Sequence, residues 1–295
     1  MQRRQLLRPL LAAPLAALGS CAWMQDVNHD GEHAPAHLPL NRSFRTAWVF
    51  SSGGPRGFAH IGVIKALAEI GMRPDFLVGA SIGSLAACLY AGGMTPAELE
   101  RRALDFSAMD VVRPNLGGSG PKLSGVGMVG LINEMLGQRR LEQLQTPVAV
   151  VAMGQASREL VAFTRGDAGV AVQASCAIEG NFAPVRIRGV TYVDPDMGAP
   201  MPVRLARALG AQRVLAVDAS AYEDRAPAGS ERYRAGDLRK RALTEPDAKA
   251  ATFTLHPEFS YYVNLSQAFR EAAMRAGYEQ TMAQAAALRT AFAPA

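Results

Sequence analysis

A strand, a sharp turn and a helix follow one another around Ser81, and this pattern constrains the fold more than any other feature of the chain. Residues 75–78, which are apolar after Asp75, favour a strand, and residues 84–91 are good helix formers. Between them lies Gly79-Ala80-Ser81-Ile82-Gly83, in which the two glycines permit a tight turn and keep side chains away from the serine. Such an elbow is typical of a nucleophilic serine. The alternative is a glycine-rich strand-to-helix turn without chemistry.

A second glycine turn comes about two dozen residues earlier. Residues 46–52 predict a buried strand, Gly53-Gly54-Pro55-Arg56-Gly57 follows at once, and residues 58–70 predict a helix. The backbone N–H groups of Gly53 and Gly54 could face a developing oxyanion beside Ser81, and Arg56 could add positive charge or hold a phosphate. A phosphate-binding loop is excluded, because no Gly-Lys-Ser/Thr ends the run.

The remaining elements predict an α/β fold. Strand and helix alternate, which favours a mostly parallel central sheet with helices on both faces. We predict a helix that begins at residues 95–98, further helices over residues 127–136, 168–178, 203–209 and 258–291, and strands over residues 147–153, 159–164, 186–193 and 213–217. Residues 107–125 predict a long loop that serves as a lid or substrate wall. Residues 221–250 are charged and broken by Gly and Pro, which predicts a mobile excursion.

The first residues predict an export signal and a lipid anchor. Residues 1–20 contain three arginines followed by a short, proline-broken apolar run, which is typical of a secretory signal. The sequence Leu18-Gly19-Ser20-Cys21 resembles the bacterial lipoprotein box, which implies lipidation of Cys21. The alternative is ordinary cleavage near a chance cysteine. We therefore expect a signal peptide over residues 1–20, a lipidated N-terminus and flexible tether over 21–44, and one folded domain over 45–295. The expected location is the bacterial cell envelope, anchored by lipid in the outer membrane and facing the periplasm.

Composition excludes several classes of function. The formal charge falls from +5 to +2 once the three arginines of the predicted signal are removed, so nucleic-acid binding has no support. No Cys-x-x-Cys motif or His/Cys cluster indicates a metal, and nothing in the sequence implies a cofactor. Cys88 and Cys176 lie among apolar neighbours, which favours two buried thiols over a disulfide. The sequence does not determine the oligomeric state.

Four ordered motifs resemble those of the patatin-like phospholipases, over about residues 45–220. Residues 52–63 resemble the oxyanion motif of the family, usually Gly-Gly-Gly-x-Arg-Gly, and residues 79–83 resemble its nucleophile motif. Residues 174–178 and 182–185 resemble its Ala-Ser-x-Ala-Ile-Pro and Phe-x-Pro segments. Asp194, followed by Pro202-Val203, falls where the family has its Asp-Gly motif.

This resemblance implies a patatin-like three-layer fold and a serine acyl hydrolase of the phospholipase A, lysophospholipase or esterase type. Ser81 would be the nucleophile and Asp194 its base, with membrane lipids or acyl esters as substrates and no cofactor. The family uses no catalytic histidine, and the sequence agrees, because no histidine lies between His60 and His256.

The chain departs from the family motifs at four positions. Ser52 replaces the first glycine, and Glu179 replaces a proline. Pro195 and Asp196 replace the residues that follow the aspartate. Pro195 restricts the backbone of its neighbour and would misdirect the carboxylate, while a second carboxylate would raise the pKa of the first or compete as the base.

Two alternatives therefore remain open. One is a catalytically impaired envelope lipoprotein of the same fold that binds lipid or a partner. The other is a Ser-His-Asp esterase that uses His256.

Overall fold

The computed structural model of the protein describes residues 28–115 and 120–293. Its strands are β1 (Asn28–His29), β2 (Phe44–Phe50), β3 (Phe76–Ala80), β4 (Arg113–Pro114), β5 (Leu123–Ser124), β6 (Val148–Gly154), β7 (Leu160–Phe163), β8 (Val185–Ile187), β9 (Val190–Val193), β10 (Ala211–Val217) and β11 (Phe253–Leu255). Its helices are α1 (Phe58–Glu69), α2 (Ile82–Ala91), α3 (Pro96–Asp105), α4 (Ala108–Val111), α5 (Gly127–Met135), α6 (Ala168–Ser175), α7 (Val203–Ala208), α8 (Arg234–Ala250), α9 (Gln267–Ala283) and α10 (Ala285–Ala291).

One mixed sheet forms the centre of the fold. Its strand order is β1-β8-β9-β6-β3-β2-β10-β11, with β7 also paired to β6. The strands from β6 to β11 in this order are mutually parallel, whereas β7 and β9 run antiparallel to β6. Strands β4 and β5 form a separate antiparallel pair. The predicted mostly parallel α/β fold is confirmed.

Alternate residues of the central strands face two different cores. On β2, Trp48 and Phe50 lie in the core shared with α1, α2 and α5, whereas Val49 lies in the core shared with α7. All three side chains are fully buried. A parallel strand covered by helices on both faces must be apolar throughout, which explains the uninterrupted apolar run at this position in the sequence.

Two glycines bring α1 and α9 into close contact. A Cβ atom at Gly62 would lie 1.8 Å from the carbonyl oxygen of Met274, and one at Gly277 would lie 2.2 Å from that of Ala59. Each helix therefore presents a bare backbone surface to the other. This contact fixes α9 beside α1, the helix that follows the first glycine turn.

The prediction of a mobile excursion over residues 221–250 is wrong. Residues 234–250 form helix α8, which contains Pro246. The buried carboxylate of Asp247 accepts hydrogen bonds from the backbone N–H and the guanidinium of Arg204 on α7. The polar composition of the segment reflects an exposed helix surface, and its few inward side chains dock it to the domain.

Two predicted elements are interrupted. The predicted strand 186–193 is a hairpin of β8 and β9, because Arg188 and Gly189 both adopt positive φ angles, 49° and 79°. The predicted helix 258–291 begins at Gln267, where Ser266 caps it by accepting a hydrogen bond from the Phe269 N–H, and it is broken at Gln284.

The described part of the predicted tether lies on the domain. Strand β1 pairs with β8, Ala36 forms a bridge with Arg165, and His37 Nδ1 lies 2.9 Å from the carbonyl oxygen of Ala162. Backbone pairing with a sheet edge overrides the polar composition that favours a tether. The predicted signal and Cys21 lie outside the described residues. No helix within the described ranges has the length and apolar character needed to cross a membrane.

Candidate active site

Ser81 occupies a strained elbow between β3 and α2. Its φ of 52° and ψ of −128° place a non-glycine residue where L-amino acids are rarely found. A Cβ atom at Gly79 would lie 2.4 Å from the Ser84 Cα, and one at Gly83 would lie 2.3 Å from the Phe50 carbonyl oxygen. Both positions of the predicted elbow are therefore too crowded for any residue except glycine.

A buried serine holds the elbow in place. The Ser81 N–H donates to Ser175 Oγ at 2.8 Å, and Ser175 Oγ donates to the Val151 carbonyl oxygen at 2.5 Å. Ser175 is fully buried at the end of α6. These bonds join the elbow to α6 and β6, and they satisfy a backbone N–H that the sharp turn would otherwise leave unpaired.

The hydroxyl of Ser81 is hydrogen-bonded to the carboxylate of Asp194. Ser81 Oγ donates to Asp194 Oδ2 at 2.5 Å, and both residues are only 4% exposed. Asp194 follows β9 directly, and its own N–H donates to the Ala177 carbonyl oxygen at 2.9 Å. Two residues separated by 113 positions are thus brought into a contact through which a proton can pass.

Pro195 does not misdirect Asp194, contrary to the expectation from sequence. Asp194 has an ordinary extended backbone, with φ −57° and ψ 132°, and Pro195 begins a short 3₁₀ helix, Pro195–Met197. The first residue of such a turn needs no N–H donor, so proline fits there. Asp194 Oδ1 accepts the Asp196 N–H at 2.9 Å, which leaves Oδ2 for Ser81.

The environment of Asp194 makes its carboxylate a stronger base than an exposed one. The pKa of Asp194 is raised from 3.8 to about 7, and burial is the largest cause. The negative charge of Asp196 also raises this pKa, while the hydrogen bonds from Ser81 and from the Asp196 N–H and the charge of Lys240 lower it. The carboxylate therefore changes protonation state near neutral pH, where a general base is most effective.

Asp196 contacts other partners and does not compete as the base. Its Oδ1 accepts hydrogen bonds from Ser52 Oγ and, at 2.7 Å, from Lys240 Nζ. Burial disfavours its charged form, but the charge of Lys240 and the bonds from Lys240 and Ser52 outweigh burial and lower the pKa of Asp196. The expected influence of this second charge on Asp194 is confirmed in direction, whereas its proposed role as a rival base is not supported.

The first glycine turn lies beside the elbow. A Cβ atom at Gly57 would lie 2.3 Å from the Ile82 side chain, so the two turns are in contact. Gly54, with a φ of 52°, lines the same cavity as Ser81. Among the described residues, neither the Gly53 nor the Gly54 N–H donates to another protein group. These two donors remain the candidates for an oxyanion site.

The side chain of Arg56 has a different environment from the one predicted. Its Nε donates to the Ala219 carbonyl oxygen at 2.7 Å and its Nη1 to that of Ser260 at 2.6 Å. The guanidinium also lies 4.1 Å from the centre of the Phe259 ring. Arg56 therefore holds the segment before α9 against the glycine turn, and these contacts leave it no described role beside Ser81.

An apolar cavity of about 260 Å³ opens beside Ser81. Helices α2, α3, α4 and α5 supply most of its wall, with side chains that include Leu85, Leu89, Phe106, Val111, Met128 and Ile132. Ala108, Val111 and Val112 come from the segment predicted as a substrate wall, and the structure confirms that this segment borders the cavity. Such a chamber suits an alkyl chain.

His60 and His256 contact groups other than Ser81 and Asp194. His60 is fully buried, with Nε2 2.9 Å from the Ser51 carbonyl oxygen, and burial lowers its pKa to about 4. His256 Nε2 lies 2.9 Å from the Ser220 carbonyl oxygen, and its ring stacks on Tyr222. The hydroxyl of Ser81 is bonded to Asp194 instead, so a Ser-His-Asp arrangement with His256 is not supported.

Comparison with known proteins identifies the family. A sequence model described as patatin-like phospholipase matches residues 48–207, which is more than half of the chain and includes Ser81 and Asp194. The chain belongs to the patatin-like phospholipase family. This finding confirms the resemblance carried by the four motifs.

Relatives of the chain are found in bacteria and animals. An uncharacterised NTE family protein of Mycobacterium tuberculosis is 31% identical over 195 residues, which cover 64% of this chain and 54% of the relative. The patatin-like phospholipase domain-containing protein 6 of Homo sapiens is 29% identical over 185 residues, 60% of this chain and 14% of that protein. The chain thus spans about half the length of the mycobacterial relative. Among solved structures, VipD from Legionella pneumophila aligns over 83% of this chain and 67% of its own, with a TM-score of 0.48 and 13% identity.

Two residues of the candidate site carry roles that the sequence did not indicate. Ser175 lies in a recognised motif, but only the fold shows that it holds the elbow. Lys240 lies in the segment predicted to be mobile, and no motif marks it. Among the described residues, no group of three or more His, Cys, Asp or Glu side chains could hold a metal ion.

Proposed function

We propose that this patatin-like phospholipase hydrolyses carboxylic esters of lipids, with Ser81 as the nucleophile and Asp194 as its general base. The observation that supports the proposal most directly is the 2.5 Å hydrogen bond from Ser81 Oγ to Asp194 Oδ2 in a buried site. The family model that spans both residues supports the same assignment.

The reaction would proceed through an acyl-enzyme. Ser81 Oγ attacks the ester carbonyl carbon while its proton passes to Asp194 Oδ2. The carbon–oxygen bond to the alcohol then breaks, and the alcohol leaves with that proton. Water attacks the acyl-enzyme, gives a proton to Asp194, and releases the fatty acid as Ser81 recovers its proton. Negative charge develops on the carbonyl oxygen in both steps, where the N–H groups of Gly53 and Gly54 would stabilise it.

The substrate class follows from the chemistry of the cavity. Its wall is almost entirely apolar, so it would bind the acyl chain rather than a polar headgroup. Phospholipids, lysophospholipids and simpler acyl esters all present this chain next to a carboxylic ester. We therefore propose lipid acyl esters as the substrates.

A fluorophosphonate probe and an ester substrate test this function together. The wild-type protein should be labelled at Ser81 and should hydrolyse a lysophospholipid or a long-chain nitrophenyl ester. Ser81→Ala should lose both labelling and turnover, and Asp194→Asn should lose turnover by at least about 100-fold. A folded wild-type protein that neither reacts with the probe nor turns over either ester would contradict the proposal. That outcome is also expected of a protein that binds lipid without catalysis.

We further propose that the protein is exported and anchored by lipid at Cys21 in the cell envelope. The proposal is supported by the basic and apolar pattern of residues 1–20 and by the residues before Cys21. In a bacterial host fed an alkyne fatty acid, the wild-type chain should incorporate the label and fractionate with outer membranes. Cys21→Ser should do neither, and equal labelling of both chains would refute the anchor.

A further inference from the structure

Two departures from the family motifs contact each other in the structure. Ser52 stands where the family usually has glycine, and Asp196 stands where it has glycine or alanine. Although the two positions are 144 residues apart, Ser52 Oγ donates a hydrogen bond to Asp196 Oδ1. Lys240 Nζ donates to the same oxygen at 2.7 Å. Neither departure is an isolated change, since each supplies one half of a polar contact.

This cluster of Ser52, Asp196 and Lys240 connects three segments of the site. Ser52 directly precedes Gly53, and its N–H also donates to the Pro200 carbonyl oxygen at 2.7 Å. The backbone N–H of Asp196 donates to Asp194 Oδ1 at 2.9 Å. The contacts therefore run from the first glycine turn, through Asp196, to the carboxylate that accepts the Ser81 hydroxyl.

Lys240 connects helix α8 to Asp196. Its side chain is only 19% exposed and its ammonium group is paired with Asp196. The helix is independently docked through Asp247, whose buried carboxylate binds Arg204. Because α8 is fixed in this way, Lys240 lies in a defined position beside Asp196, and the ion pair has a defined geometry.

We propose that Asp196, held by Ser52 and Lys240, is a positioning residue that fixes the Asp194 carboxylate against Ser81 and joins it to the turn bearing the candidate oxyanion donors. The inference rests on the proposed ester hydrolysis. It adds how this chain, which has Ser52 and Asp196 where the family usually has small residues, aligns the Asp194 carboxylate with Ser81. Ser52, Asp196 and Lys240 touch neither the ester nor the acyl chain in this scheme.

The charges of the cluster should also set the pH at which Asp194 becomes a base. The groups that face Asp194 are Ser81, Asp196, Lys240 and the thiol of Cys176, whose pKa is raised by burial. Of these, Asp196 raises the pKa of Asp194 and Lys240 lowers it. Removal of either charge should therefore move the acidic limb of the activity profile, and in opposite directions.

Four variants test the cluster. Lys240→Met should move the acidic limb of kcat/KM to higher pH by about half a unit or more, whereas Asp196→Asn should move it to lower pH. Ser52→Ala changes no charge, and it should lower kcat about tenfold with KM within about twofold, because the carboxylate loses its link to the glycine turn. Lys240→Arg should restore the wild-type limb.

Lys249→Met is the matched control for Lys240→Met. It removes an ammonium group from the same helix, where Lys249 is 73% exposed and pairs only with Glu245 among the described residues. It should leave kcat and the pH profile unchanged. Urea unfolding of every variant checks that the fold is intact.

The pKa of Asp194 can also be measured independently of activity, by NMR of the protein labelled with carbon-13 aspartate. The carboxyl resonance of Asp194 is assigned as the one that disappears in Asp194→Asn. Opposite shifts in Lys240→Met and Asp196→Asn, together with the fall in kcat of Ser52→Ala, support the proposal, and any other pattern overturns it. Undiminished turnover by Ser81→Ala would instead overturn the proposed function. If the protein has no turnover, the resonance shifts alone decide whether the cluster acts on Asp194.

Discussion

Replacing Asp194 by asparagine should stabilise the protein while it abolishes the proposed activity. Burial raises the pKa of this carboxyl from 3.8 to about 7. At a pH above 7 the folded protein must hold a buried negative charge that the unfolded chain exposes to water. Asparagine has nearly the same shape and carries no charge, so the variant avoids this cost.

The size of the effect follows from the shift in pKa. Between pH 3.8 and about 7 the unfolded chain has lost the proton of Asp194 and the folded protein retains it, so stability falls as pH rises. Each unit costs about 1.4 kcal/mol, which gives a penalty of roughly 2 kcal/mol at pH 5 and about 4 kcal/mol at pH 8. The altered hydrogen bond to Ser81 should offset about 1 kcal/mol of the gain. We therefore expect the variant to be more stable by about 1 kcal/mol at pH 5 and about 3 kcal/mol at pH 8.

Urea unfolding at the two pH values measures this difference. Asp105→Asn serves as the control, because the Asp105 side chain is 68% exposed and the substitution removes no buried charge. The reasoning fails if Asp194→Asn is less stable than wild type at pH 8. It also fails if the gain in free energy of unfolding is equal at pH 5 and pH 8, since the carboxylate would then carry no burial penalty.

Three further predictions address the elbow, the histidine and the cavity. Gly83→Ala should lower the free energy of unfolding by about 3 kcal/mol or more, since its Cβ would lie 2.3 Å from the Phe50 carbonyl oxygen. Gly130→Ala is the control and should not destabilise α5, because Gly130 has open space around it. Equal losses of stability in the two variants, measured by urea unfolding, would refute the steric argument. His256→Ala should retain kcat within about threefold, because a Ser-Asp pair needs no histidine. A loss of about 1000-fold in kcat would instead support a Ser-His-Asp triad that includes His256. Met128→Trp should narrow the cavity and raise KM for a long-chain ester about tenfold while leaving a two-carbon ester unaffected, and equal effects on both esters would place the acyl chain elsewhere.

Local sequence was sufficient to predict the strands and helices on either side of the two glycine turns, at residues 53–57 and 79–83. The apolar runs that became β2 and β3, and the glycines that follow them, leave few alternatives to two parallel strands with tight turns. The same reasoning failed for α8, because a helix with a mostly exposed surface resembles a polar loop in composition. It also failed at β1, where two residues with no strand pattern pair with a sheet edge.

Motifs and apolar patterns in the sequence were enough to indicate the family and the α/β class and to nominate Ser81 and Asp194 as site residues, because motif glycines and buried apolar strands depend on steric rules that act over a few residues. Tertiary structure decided whether the site could be aligned. The orientation of Asp194 depends on a turn that begins with proline, and its basicity depends on burial. The link between Ser52, Asp196 and Lys240 depends on three segments that only the folded sheet brings together. Charges and hydrogen bonds act through space, so residues far apart in the sequence can set the chemistry of one carboxylate.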